Sequence, residues 1–215
     1  MVNSIKLLFL VLLIFSSSIV VGQNAKNHFL FDDFEAAKVV YKNKNTSNGR
    51  LNYNAVTREM VFVGEDGKNK ALYPVDTIDT IYIAGRTFVP YEKEFYELLP
   101  AKSHVLYAVH RCEIQLAGQS TGYGTSSTSA IHDVSSISAG DGIYQLKLPD
   151  NYKTNPSVFY LILLDGKLTK IKKAKDLVKL FPAKKNEINR FLKNANIKGD
   201  KERIIAVLDF LGEND

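Results

Sequence analysis

The sequence predicts a mainly β (α+β) fold: an antiparallel β-meander forming an open barrel or a two-layer sheet, with two to three short C-terminal helices packed on it. Three observations carry this expectation. From Lys38 to about Lys173 the apolar residues recur with period two or in short blocks. Tight turns separate those blocks, and such short connections join antiparallel neighbours, because a parallel crossover needs a dozen or more residues. Beyond residue 173 the apolar period becomes that of amphipathic helices.

Taken in order, "RLNYNAVTREMVFV" (50–63) reads as two strands about a turn near Ala55–Thr57, with Leu51 and Tyr53 alternating in the first and Met60 and Phe62 in the second. "EDGK" (65–68) and "LDGK" (164–167) are Asp-Gly turns, the strongest short-range hairpin signal, since Gly takes positive φ at no steric cost. "TIYIAGRTFVPY" (80–91) repeats the scheme about Ala84-Gly85-Arg86. "EFYELL", "HVLYAVHRCEIQL", "IYQLKL" and "SVFYLILL" are further strands, rich in Val, Ile, Tyr and Phe. In the C-terminal part, "AKDLVKLFP" carries Leu177, Val178, Leu180 and Phe181. Pro182 then opens a helix that puts Ile188, Phe191, Leu192 and Ala195 on one face. Asp200 caps a last helix with Ile204, Ile205, Leu208 and Leu211 in a stripe and Gly212 as its stop.

The N-terminus reads as an export signal. Lys6 charges a short leader, Leu7 to Phe15 are nine consecutive apolar residues, and Ser16 to Gly22 turn small. That run is too short for a bilayer core, which needs about 20 residues. Cleavage after Gly22 would place Gly22 and Val20 at the positions where the peptidase needs small side chains, and leave Gln23 first. The expected organisation is therefore a cleaved signal at 1–22, a β domain at 23–173 with a long Ser/Gly-rich loop at 118–142, and a helical cap of the same domain at 174–215. The mature chain is expected to lack a transmembrane segment. Cys112 is the one cysteine, so no internal disulfide is available and no lipid-acylated cysteine follows the cleavage point. The expected location is periplasmic or secreted, not that of a lipoprotein. In a eukaryotic host "NTS" at Asn45 would be a glycosylation acceptor.

Charge is uneven along the chain. Residues 166–203 hold 13 Lys or Arg against Asp176, Glu187, Asp200 and Glu202, while the rest of the chain is net acidic. Lys184, Lys185, Arg190 and Lys193 make a basic surface that could meet an anionic envelope component or another envelope protein. The same residues fall off the apolar stripe, as a merely solvated helix face also requires. Aromatics are not interleaved with them, which argues against a single-stranded nucleic-acid platform.

The loop 118–142 is the second place of interest: seven Ser, three Thr and five Gly fill 15 of its 25 positions. Ser120, Thr121, Tyr123, Ser126, Ser127, His132 and Asp133 are its candidate binding residues. It fails as a serine-nucleophile elbow, because Thr128 stands where Gly should follow Ser126. It contains no lysine and no phosphate-loop or dinucleotide fingerprint. His132 and Asp133 are adjacent, so their side chains diverge and suit a catalytic relay poorly. His110 and Cys112 share a strand face about 7 Å apart, a thiolate–imidazole spacing. Leu106, Ala108, Ile114 and Leu116 on that face favour a buried inert thiol. His28, His104, His110 and His132 show no metal-ligand spacing, and one cysteine excludes thiolate zinc, so neither metal nor cofactor is expected. The absence of Trp leaves carbohydrate binding unindicated.

Over its mature length the chain resembles a group of small exported proteins of unestablished function from Bacteroidetes-type bacteria. The resemblance rests on "VVGQ", "LNYNAVTREMVFV", "TIYIAGRTFVPY", "GYGTSSTSAI" and "KDLVKLFPAKKNEINRFLKNANI". It implies a location in the periplasm or beyond and assigns no residue a role. The expected function is a non-enzymatic binding or envelope-associated domain. The alternatives are a hydrolase using hydroxyls of 118–142 and a structural subunit of an envelope assembly. Amino-terminal sequencing of the protein recovered from cells tests the export reading: it should begin at Gln23, and an intact Met1 would contradict cleavage.

Overall fold

The computed structural model describes residues 28–116, 130–131 and 152–213. The strands are β1 (Glu35–Tyr41), β2 (Thr46–Asn54), β3 (Glu59–Val63), β4 (Asn69–Ala71), β5 (Ile78–Ile83), β6 (Arg86–Tyr91), β7 (Glu94–Leu99), β8 (Leu106–Leu116), β9 (Ala130–Ile131), β10 (Tyr152–Leu164) and β11 (Lys167–Ile171). Helices α1 (Leu177–Leu180), α2 (Lys185–Asn194) and α3 (Asp200–Glu213) follow. Ten strands form one antiparallel sheet in the order β11-β10-β8-β7-β6-β5-β1-β2-β3-β4, and β9 pairs with β8 off this path. The sheet does not close, because β4 and β11 remain as its ends among the described residues. The open-barrel alternative therefore gives way to a two-layer arrangement. The candidate strand "IYQLKL" lies outside the described residues.

The turns follow from residue type. Ala84 and Gly85 join β5 to β6 at φ 48° and 72°, and Asp165 and Gly166 join β10 to β11 at 49° and 75°. Positive φ at both central residues gives the turn twist that matches antiparallel strands.

Directly paired residues in antiparallel strands share a face. The register runs one row across seven strands: Val39, Ile81, Phe88, Glu97, Ala108, Tyr160, Ile171. All seven are buried. Two hydrophobic cores lie on this face. One packs Leu99, Leu106, Tyr160, Ile162 and Ile171 against Leu177, Ile188, Ile204, Val207, Leu208 and Leu211 of the helical cap. The other gathers Val39, Leu51, Tyr53, Met60, Ile81, Phe88, Phe95 and Cys112. Full burial of each large side chain is worth roughly 1.5–3 kcal/mol.

The second core exists because the sheet folds over on itself. The β2–β3 hairpin tip reaches β8, where the Cys112 N–H donates to the Ala55 carbonyl at 3.0 Å and the Tyr53 hydroxyl donates to the His110 carbonyl at 3.5 Å. Ahead of β1, residues 28–34 run beside β2, with Leu30 N–H donating to the Tyr53 carbonyl and Ala55 N–H to the His28 carbonyl. Asn52, buried, fastens this segment: its Nδ2 donates to the carbonyls of Phe31 (2.8 Å) and Asp33 (3.0 Å), and its Oδ1 accepts from the Phe31 N–H (3.1 Å).

Gly212 does not stop α3, which runs through it to Glu213. A Cβ at 212 would lie 2.3 Å from Cβ of Ser103, so glycine there allows the helix to touch the β7–β8 loop. Ser103 Oγ donates to the Leu208 carbonyl at 2.7 Å, and Asp209 accepts from the Lys102 N–H at 2.8 Å, fixing the same contact. No helix among the described residues is long and apolar enough to cross a membrane.

Replacing Asn52 with Ala removes three buried bonds and should cost about 2–3 kcal/mol. Denaturant unfolding should show a lowered midpoint, together with faster proteolysis ahead of residue 35. An unchanged midpoint would mean that the segment is held by other contacts.

Candidate functional site

Glu97 occupies the row position where the two cores meet, between Phe88 of one and Ala108 of the other. Alternation in "EFYELL" sends it inward with Phe95 and Leu99, and it is only 4% exposed. Arg86, placed at the start of β6 by the Ala84–Gly85 turn, grips it side-on. Nε donates to Oε1 at 2.7 Å and Nη2 donates to Oε2. His110 Nε2 lies 2.7 Å from Oε2 and 2.8 Å from Arg86 Nη2. Nε2 carries at most one proton, so it either donates to the carboxylate or accepts from the guanidinium. The ring centroids of Phe31 and Phe88 lie 5.4 and 5.5 Å from the guanidinium carbon, within cation–π range.

Burial alone would push the Glu97 carboxyl up. The hydrogen bonds from His110 and Arg86 and their charges outweigh it and hold the group at about 2, against an ordinary 4.5. Among the described residues Arg86 Nη1 has no bonded partner. A second carboxylate, Glu94, accepts from Arg58 Nη1 and from Arg111 Nη2, each at 2.6 Å. That pair of bonds ties the β2–β3 tip to β7 and β8.

Two clefts approach the Glu97 cluster. The larger, about 710 Å³, is lined by Arg86, Thr87 and Glu97, by the β7–β8 loop from Pro100 to Val105, and by Lys201 and Ile205 of α3. The smaller, about 390 Å³, is lined by Phe29, Leu30, Ala55, His110, Arg111 and Val158, among others. The cluster can orient a cation and neutralise a buried carboxylate. Among the described residues the ring Nε2 of His110 meets Glu97 and Arg86, and no hydroxyl or thiol is hydrogen-bonded to that ring.

The residues singled out from sequence fall elsewhere. Ser120, Thr121, Tyr123, Ser126, Ser127, His132 and Asp133 lie outside the described residues, as do Gly22 and Gln23. Lys185, Arg190 and Lys193 are exposed on α2, the last two on the side away from the buried Ile188, and Lys184 just ahead of the helix lies 3.8 Å from Glu187. None of the four lines either cleft. Cys112 is buried and its thiol is pushed up by burial, which makes it a poor nucleophile. His110 turns to Glu97 and Arg86, a pairing that the His110–Cys112 spacing does not suggest.

Glu97 gains stability from a carboxyl lowered on folding. That contribution is complete above the unfolded value near 4.5 and disappears as the pH falls towards 2. Glu97→Gln should therefore flatten the loss of unfolding free energy between pH 5 and pH 2 by about 3 kcal/mol, on the order of 1.4 kcal/mol for each unit of displacement. Denaturant titrations of both proteins across that range check it, and parallel pH curves would contradict it.

No protein-family model, no curated protein and no solved structure matches the chain, so the chemistry of this site rests on its own residues.

Proposed function

We propose that the protein is an exported, non-enzymatic binding domain acting at the cell envelope, and that it takes its ligand in the cleft beside Arg86 and Glu97. The observation that carries this reading is the cleft itself. Its volume of about 710 Å³ lies within the span of small-molecule sites, roughly 300–1,000 Å³. It is walled by a sheet on one side and a helix on the other, and at its base polar groups are already oriented by buried bonds. Preorganisation of this kind lowers the ordering cost of binding.

Export is supported by the leader-like composition of residues 1–22. The exposed basic residues on α2, Lys185, Arg190 and Lys193, would favour residence near an anionic envelope surface. The loop at 118–142 stays a candidate contributor to binding, through its hydroxyls and backbone N–H groups.

Native mass spectrometry of the protein isolated from its own envelope fraction tests the reading. A small-molecule adduct should accompany the folded wild type. Ala101→Trp, which adds bulk to the cleft lining, should lose that adduct while keeping the far-ultraviolet circular dichroism of the wild type. A folded wild type that carries no adduct, or an adduct indifferent to Ala101→Trp, would overturn it.

A further inference from the structure

The cleft between the β6–β7 strand ends and α3 is lopsided in charge. Three permanent cations line it, Arg86, Lys102 and Lys201, with His104 beside them, against the single carboxylate Glu97. That carboxylate is already matched within the protein by Arg86 and His110. Lys102 and Lys201 have only long pairs, to Glu213 at 3.9 Å and Glu202 at 3.4 Å, between side chains that are about half exposed or more. Pairs so exposed contribute little and leave both ammonium groups free to turn inward.

The same cleft is greasy along one wall. Val105 is 40% exposed and lines it together with Ala101 and Ile205. Folding has left this apolar surface uncovered immediately beside the unbalanced positive charge. Arg86 contributes a further element. It lies within cation–π range of Phe31 and Phe88, its Nε and Nη2 are held by Glu97, and Nη1 is left without a bonded partner among the described residues. A guanidinium held in this way offers a donor without rotamer cost, which suits a carboxylate or phosphate oxygen.

We propose that the ligand of this cleft is a small amphiphilic anion: a carboxylate or phosphate head facing Arg86, Lys102 and Lys201, on an aliphatic body lying along Ala101, Val105 and Ile205. The proposal rests on the reading of the cleft as the binding site and narrows its ligand to one chemical class. A cationic ligand would meet Lys102 and Lys201, with Arg86 already matched by Glu97. A neutral polar ligand would leave the apolar wall unfilled.

The test titrates octanoate, octyl phosphate and 1-octanol into the ¹⁵N-labelled protein while following the amide signals of Lys102, Val105, Lys201 and Ile205. At least one of the two anions should shift these signals saturably, and 1-octanol should bind about tenfold more weakly or worse. Comparing the two anions reports which head the site prefers. Lys102→Gln with Lys201→Gln should raise Kd for the bound anion about fivefold or more. These exposed positions keep the test informative even if replacing Arg86, the counter-ion of buried Glu97, prevents folding. Equal binding of 1-octanol and the anions, or cleft signals unmoved by all three compounds, would overturn the proposal. A neutral or cationic adduct on the protein from the envelope would also overturn it, while leaving the cleft's role as a binding site intact.

Discussion

The contact between the Glu97 carboxylate and Arg86 is the point on which the two halves of the molecule turn. The cross-strand row from Val39 to Ile171 is apolar at every step except this one, and a core lies to either side of it. An isolated buried carboxylate would be costly enough to neutralise itself. Side-on bonding to Arg86 and contact with His110 reverse that tendency and keep the group ionised. A leucine at 97 would complete the row with no desolvation cost, and replacing buried ion pairs by apolar groups is often neutral or stabilising. The charged cluster is therefore poorly explained by stability alone. Arg86 and Glu97 are among the residues that line the larger cleft, which is where the proposed binding role places them.

Glu94 does a related job with a different result. Glu97 anchors residues on neighbouring strands of one layer. Glu94 draws Arg58, from the hairpin tip that has folded over, to Arg111 of β8. The amide of Cys112 completes that junction through the Ala55 carbonyl. Two carboxylates three residues apart on β7 point to opposite faces of the sheet, and each binds two basic side chains. Strand β7 thus carries both carboxylates, and residues at its end line the larger cleft.

Much of the scaffold is legible in the sequence, because the signals involved are local. The turns at Ala84–Gly85 and Asp165–Gly166, and the alternation in β2, β3 and β7, need only neighbouring residues to be read. Other features depend on contacts that no local window contains. Strand β1, "EAAKVVY", lies mid-sheet between β2 and β5, although its own pattern is short and weakly apolar. The segment ahead of it is held by the side chain of Asn52, which reads locally as an ordinary polar strand residue. The site itself joins residues 86, 97 and 110 through strand register. Only the inward parity of Glu97 between Phe95 and Leu99 could have marked it. Gly212 illustrates the converse. A glycine near a helix end reads as a stop, and here it answers the close approach of Ser103.

The account stands or falls on whether Arg86 and Glu97 act as one unit inside the protein. A double-mutant cycle with Arg86→Met and Glu97→Leu, read by equilibrium denaturation at pH 7, measures that directly. The double variant should recover much of the loss seen in Arg86→Met, with a coupling energy of about 2 kcal/mol or more, because that single change strands the buried Glu97 carboxylate while Glu97→Leu leaves the half-buried Arg86 without its partner. Losses that add to within about 0.5 kcal/mol would show that the two side chains are merely neighbours, and would remove the joint on which this description of the fold and its cleft depends.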